Sequence, residues 1–145
     1  MQPLKIKRIH PTVQLPRYAH DTDAGIDLYL PEAITFKPFE RRKVPLGIAL
    51  ELPPGTAGLV WEKGSRGSEG LNTFAGVIDE GYRGELIATL WNTNHEPLSY
   101  LANTPIVQLL VQPVYHPDIQ EASELTESAR GKGAFGSTHA VVDGR

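Results

Sequence analysis

"KVPLGIALEL", residues 43–52, decides the fold. Val44, Leu46, Ile48, Leu50 and Leu52 recur at every second position, which gathers them on one face of an extended strand and would scatter them around a helix. The same period continues on both sides. "GIDLYL" (25–30) repeats it with Ile26, Leu28 and Leu30, and "ELIATLWN" (85–92) with Leu86, Ala88 and Leu90. "PIVQLLVQPV" (105–114) is a nearly continuous apolar run bounded by Pro105 and Pro113, which predicts a strand buried on both faces. The 12 prolines and 14 glycines fall mostly between such runs, where turns belong. Only "QEASELTES" (120–128) carries helix character. Short strands at close spacing predict an all-β sandwich, jelly roll or barrel. From about residue 117 the strand pattern gives way to a polar stretch rich in Gly and Ser, so the expected organisation is a β domain over 1–116 and a mobile C-terminal tail over 117–145.

Composition narrows the function. A chain of 145 residues fits one domain and buries roughly two-thirds of its unfolded surface. The 14 basic and 17 acidic residues leave a formal charge of -3, which argues against stable nucleic-acid binding, since that relies on many Lys and Arg contacts to phosphate. The absence of cysteine removes disulfides, thiolate metal sites and a thiol nucleophile. The five histidines (10, 20, 95, 116 and 139) show no metal-site spacing. With no apolar stretch of signal-peptide or membrane-span length, the expected location is the cytoplasm, without membrane association.

Three polar stretches interrupt the strands, and a fourth lies in the tail. "DAGIDL" (23–28) runs a turn into a strand that carries Asp27, and alternation allows its carboxylate either face. "EKGSRGSEG" (62–70) gathers Lys63, Ser65, Arg66 and Ser68 among glycines, a nest for phosphate oxygens or a solvated turn. "GVIDEGYRGE" (76–85) sets Asp79 after an apolar pair and three residues before Tyr82, as a general base or as a turn former through its own side chain. "RGKGAFGST" (130–138) has the G-x-G-x-x-G spacing of dinucleotide loops in Gly131, Gly133 and Gly136. That motif needs a strand before it and a helix after it; "HAVVDGR" carries no helix signal, so the dinucleotide reading fails.

Taken together and in order, these stretches resemble the motifs of the homotrimeric dUTP pyrophosphatase (dUTPase) family. "AGIDL" is similar to the first motif, "GVIDEGYRGE" to the third, "PIVQLLVQP" with Gln108 to the fourth, and "RGKGAFGST" to the fifth, spanning residues 24–138. The resemblance implies a distorted jelly-roll or β-clip barrel with a flexible tail that closes over a bound nucleotide. It implies hydrolysis of dUTP to dUMP and pyrophosphate by attack of water on the α-phosphorus, with Asp79 as the base. Tyr82 would lie under the deoxyribose and reject a 2′-hydroxyl. The strand ends from Asn72 through Thr73 to Gly76 would read uracil through backbone hydrogen bonds, and Gln108 would belong to the substrate site. Arg130, Ser137 and Thr138 would grip the γ-phosphate, with Gly136 between them and Phe135 covering the base. Mg²⁺ would be held by the triphosphate and waters, with Asp27 acting through water. Sites shared among the subunits of a homotrimer follow from the same resemblance.

The chain departs from the family pattern in places. Its second motif is the loosest: Ser65 is the best candidate for the phosphate-contacting serine, Lys63 or Arg66 for the cation, and Ser68 stays open. Thr73 stands where many members have Asn, Pro105 where Arg is frequent, and Ala134 and His139 where the tail commonly has glycines. Two other functions compete. A dCTP deaminase of the same fold would carry a Glu on the strand after the third motif, but ten residues beyond Asp79 stands Thr89. A noncatalytic β-sandwich that binds single-stranded nucleic acid through "GSRG", Arg83 and the tail is opposed by net charge and by the lack of a row of aromatics for base stacking.

Overall fold

Alternation resolves into strands throughout the computed structural model, which describes residues 2–74, 76–129 and 131–132. In chain order these are β1 (Lys5–Arg8), β2 (Ile26–Tyr29), β3 (Ile34–Phe36), β4 (Arg41–Glu51), β5 (Thr56–Glu62), the short helix α1 (Gly64–Ser68), β6 (Leu71–Phe74), β7 (Val77–Ile78), β8 (Glu85–Asn92), β9 (Leu98–Tyr100) and β10 (Pro105–Pro113). All pairings between them are antiparallel. One sheet runs β1-β4-β8-β6, a second runs β2-β10-β5-β7, and β3-β9 forms a two-stranded third. The protein is an all-β domain of jelly-roll type.

The core forms where the predicted faces meet. Val44, Leu46, Ile48 and Leu50 of β4 pack with Leu86, Ala88 and Leu90 of β8 and with Leu28, Ile106 and Leu109 from the second sheet. Each such leucine, removed from water, contributes about 1.5–3 kcal/mol. The register of β4 on β8 slips between Pro45 and Ala49, and the Glu85 carboxylate accepts the Gly47 amide at 2.9 Å inside that bulge. Asn92 is wholly buried but satisfied, donating to the carbonyls of Lys37 and Glu96 and accepting the Asn94 amide.

Two local readings change. β2 is buried along its whole length rather than on alternate residues, because Tyr29 and Asp27 are enclosed as well. β10 is closed in at Ile106, Val107 and Leu109 but only half-buried at Leu110 and Val111, so it is not enclosed on both faces throughout.

The chain divides into two units, Met1–Tyr115 and His116–Arg145. In the second, residues 116–129 are exposed and none is helical, which overturns the helix read over 120–128. Nine residues cannot recover the cost of helix nucleation without an apolar face to bury, and Leu125 is 89% exposed. A local turn does form, in which the Gly131 amide donates to the carbonyl and Oγ of Ser128. Among the described residues no helix is long and apolar enough to cross a membrane.

Candidate active site

The first and fourth polar motifs meet side by side. β2 and β10 pair so that Asp27 lies opposite Gln108, which in turn lies opposite Trp61 of β5. Cross-strand partners share a face, so the three side chains form a row. Gln108 donates from Nε2 to the carbonyl of Glu62 at 3.0 Å. Gly25 leaves the space this carboxamide occupies: a Cβ there would run into Gln108.

Asp27 is 6% exposed, and Lys63, the residue before α1, ion-pairs with its Oδ1. The sequence left the direction of Asp27 open; the fold turns it inward and neutralises it with the nearest cation of the second motif.

"GSRGS" is a helical turn rather than a glycine nest, with the amides of Gly67 and Glu69 spent on the carbonyls of Lys63 and Ser65. Its side chains sort themselves. Ser68 donates to the Gly64 carbonyl at 2.7 Å. Arg66 pairs with Glu69 at 2.7 Å and lies over the Tyr100 ring, while the Tyr100 hydroxyl donates to the same carboxylate at 3.0 Å. Burial pushes the Tyr100 phenol above its usual range, and the acceptor Glu69 adds to the shift. Ser65 is exposed, and among the described residues no group engages its hydroxyl. Sequence reading missed Glu69 and Tyr100; the only signal was an acid three residues after Arg66, on the same face of a helical turn.

The third motif is built differently. β6 pairs with β8 and β7 with β5, so the chain passes from one sheet to the other between them. The Thr73 hydroxyl donates to the Thr89 carbonyl at 3.3 Å, and the Gly76 carbonyl accepts the Val60 amide at 2.7 Å. Between this crossing and β5 opens a cleft of about 240 Å³, lined by Thr73, Gly76 and Val77 on one side and Leu59 through Glu62 on the other. Asn72 faces outward beside Trp91 and is half-buried.

Just past β7, Asp79 accepts the Tyr82 amide with its backbone carbonyl, at 3.0 Å. Its side chain is exposed, and no described group bonds its carboxylate. The turn is held by others. The Tyr82 hydroxyl donates to the Glu85 carbonyl at 2.9 Å, and its ring lies where a Cβ on residue 84 would sit, so any side chain there would displace it. Arg83 donates to the carbonyls of Glu80 and Tyr82 at 2.6 and 2.9 Å.

Within one chain these two halves stay apart. Gln108 lies opposite Asp27, while Val111, three residues on, lies opposite Gly58, itself opposite Ile78. Three residues of rise and three steps between strands separate Ile78, next to Asp79, from Asp27 by roughly 17 Å. Of the fifth motif only Gly131 and Lys132 are described; Arg130, Phe135, Gly136, Ser137 and Thr138 lie outside the described residues. No group of three or more His, Cys, Asp or Glu able to hold a metal occurs among those described.

An antiparallel jelly-roll domain with an open carboxylate on a braced turn beside a cleft, and a lysine-neutralised acid on a separate strand, defines a class of small all-β proteins with shallow polar surfaces. The comparisons make this specific. The dUTPase family model matches residues 12–139. A deoxyuridine 5'-triphosphate nucleotidohydrolase of Anaeromyxobacter sp. (strain Fw109-5) is 40% identical over 141 residues, covering 93% of this chain and 96% of that one. The chain belongs to the dUTPase family. Solved structures agree on the fold. A mutant dUTPase of Staphylococcus bacteriophage 80alpha with dUpNHpp superposes with a TM-score of 0.90 at 23% identity, over 97% of this chain and 100% of that one. A mutant dUTPase from phage phi11 of S. aureus, described for its coordination of a structural Mg(II) ion, gives 0.81 at 20% identity over 87% and 100%.

Proposed function

We infer that this protein is a dUTP diphosphatase, which hydrolyses dUTP to dUMP and pyrophosphate and so serves nucleotide metabolism and keeps uracil out of DNA. The observation that carries the mechanism is the state of Asp79: exposed, and unbonded among the described residues, on a turn fixed by its neighbours. An aspartate that formed the turn would spend its carboxylate on local amides. This one is available to take a proton from the water that attacks the α-phosphorus, while pyrophosphate leaves. Tyr82, held at its hydroxyl and across Gly84, offers a fixed surface to the deoxyribose and no room for a 2′-hydroxyl. The cleft of about 240 Å³ beside Thr73 and Gly76 suits a pyrimidine ring read by backbone groups of residues 72–76.

Ser65 is the phosphate-contacting serine in this reading, since Ser68 is bonded within its own turn and Arg66 is held by Glu69. Lys63 supplies positive charge from its place on Asp27, and Gln108 lies in the same row. Arg130, Gly136, Ser137 and Thr138 would close on the γ-phosphate and Phe135 on the base, from a tail that begins near residue 117 and leaves 1–116 as the β domain.

Magnesium fits these residues in one way. Asp27 has Oδ1 on Lys63, and the described residues offer no three-carboxylate cage, so the ion would be carried by the triphosphate with Asp27 reaching it through water. Bound there, it would neutralise phosphate charge. The roughly 17 Å between Asp27 and Asp79 within a chain supports a site shared between subunits, in the homotrimer the family resemblance implies, where one subunit's Asp79 meets another's Asp27 and Ser65. The cytoplasm is the fitting location.

Incubation with dUTP, UTP, dCTP and dTTP plus Mg²⁺, with chromatography of the products, tests the reading. dUMP and pyrophosphate from dUTP alone are expected; equal turnover of all four would overturn it, and dUTP appearing from dCTP would indicate a deaminase. Subunit sharing has its own test. Asp79→Asn chains and chains truncated after Ser128, each nearly inactive, should regain part of the activity when mixed and allowed to exchange subunits. Verified mixed trimers as inactive as their parents would refute it.

A further inference from the structure

The turn that carries Asp79 is tied to a second loop by one side chain. Glu80 extends from that turn, and its Oε2 accepts the backbone amide of Gly55 at 2.7 Å. An ionised acceptor on an amide gives the stronger kind of hydrogen bond. The Gly55 peptide is itself anchored at its other end: its carbonyl accepts the amide of Val114, just past β10, at 2.9 Å. Within the same loop the Thr56 hydroxyl donates to the Pro53 carbonyl at 2.6 Å. Glu80 is clamped from its own side as well, because Arg83 donates to its carbonyl at 2.6 Å. A continuous path of hydrogen bonds therefore runs from the neighbour of Asp79, through the Gly55 peptide, to the end of the central strand β10.

β7 has only two residues, paired at Ile78–Gly58 and Val77–Leu59, so the strand before Asp79 gives that turn little support. The Glu80 tether supplies it from the far side. Asp79 thus stands between a minimal strand and a side-chain anchor, with its carboxylate left open. We propose that Glu80 is a positioning residue for the reaction: its carboxylate fixes the height and direction of the Asp79 turn against the Gly55 loop. The proposal rests on Asp79 being the base. A base must sit within hydrogen-bond reach of the attacking water, and a displacement near 1 Å is enough to cost much of the rate. Loss of the tether lowers the chemical step more than the binding of nucleotide, since the Thr73–Gly76 wall of the cleft is held by the pairing of β6 on β8 and by the Val60–Gly76 bond, and Tyr82 keeps its own bond to the Glu85 carbonyl.

Glu80→Ala and Glu80→Gln in the full-length protein test it. In Glu80→Ala, kcat for dUTP should fall about tenfold while KM and dUMP affinity by calorimetry stay within about twofold. Glu80→Gln, whose amide oxygen still accepts from Gly55, should recover most of that loss. Hydrogen exchange read by mass spectrometry should show faster exchange over residues 53–58 in Glu80→Ala than in wild type and Glu80→Gln. Unchanged kcat in Glu80→Ala, a rise in KM alone, a rate loss that Gln does not rescue, or unchanged exchange at 53–58 would each overturn the proposal. Failure of the underlying reading looks different: wild-type protein inert toward dUTP, or Asp79→Asn as active as wild type, removes the base itself and the positioning role with it.

Discussion

Asp27 and Asp79 are the same residue type under opposite conditions. Asp27 lies in a strand enclosed on both faces, 6% exposed, its charge met by Lys63. Asp79 lies past the end of a two-residue strand, exposed, its carboxylate unbonded among the described residues. A buried carboxylate is costly unless paired, and once paired it is an anchor whose removal is felt by the fold. An open carboxylate contributes little to stability and is free for proton transfer. The difference teaches that a carboxylate held by a partner and one left open can be told apart by their surroundings, and the proposed mechanism draws its base from the open one.

The sharpest way to break the comparison is Asp79→Asn. Turnover of dUTP should fall by about 10² or more, with nucleotide binding retained and urea-unfolding stability within about 0.5 kcal/mol of wild type. A stable, active variant would make Asp79 an ordinary turn residue. Asp27→Asn comes next, and its first effect is on the fold. It leaves the Lys63 ammonium, 22% exposed, without its counter-charge, so stability should drop by about 2–3 kcal/mol. Adding Lys63→Met should recover more than half, and urea midpoints measure both. If Asp27→Asn costs nothing, the pair is a surface contact and the contrast fails.

The smallest effect extends the contrast to two phenols. Tyr100 is buried against Glu69 with its pKa raised by burial first and by that acceptor second, whereas Tyr82 is 43% exposed. Above a pH of about 10 the unfolded chain releases the Tyr100 proton while the folded chain still holds it. Stability present below that value is then lost as pH climbs through the folded pKa. Thermal melts across the alkaline range should show a shallower decline for Tyr100→Phe than for wild type.

Legibility in the sequence follows the same line between regular and singular features. Val44, Leu46, Ile48 and Leu50 were readable because a two-residue period is imposed by the pleat itself, and all four are in the core. Asp79 and Tyr82 were singled out by the resemblance and by chemistry at a turn, and the geometry leaves one open and braces the other. The orientation of Asp27 was not readable, since β2 is buried on both faces and alternation then carries no information. The turn at "GSRGS" was also hidden, because glycines and serines favour loops and the helix is made by its surroundings rather than by propensity. Glu80 gave no signal, as its partner is a backbone amide 25 positions away in sequence.

The space above Gly25 has a genetic consequence. A Cβ there would meet the far end of Gln108, a side chain that can yield, so Gly25→Ala should fold and instead push the carboxamide off the Glu62 carbonyl. A lesion in the first motif would then phenocopy one in the fourth. In a mutational scan the two positions should be epistatic: once Gln108→Ala has removed the carboxamide, Gly25→Ala should add little further defect, so the double variant should be hardly worse than Gln108→Ala alone.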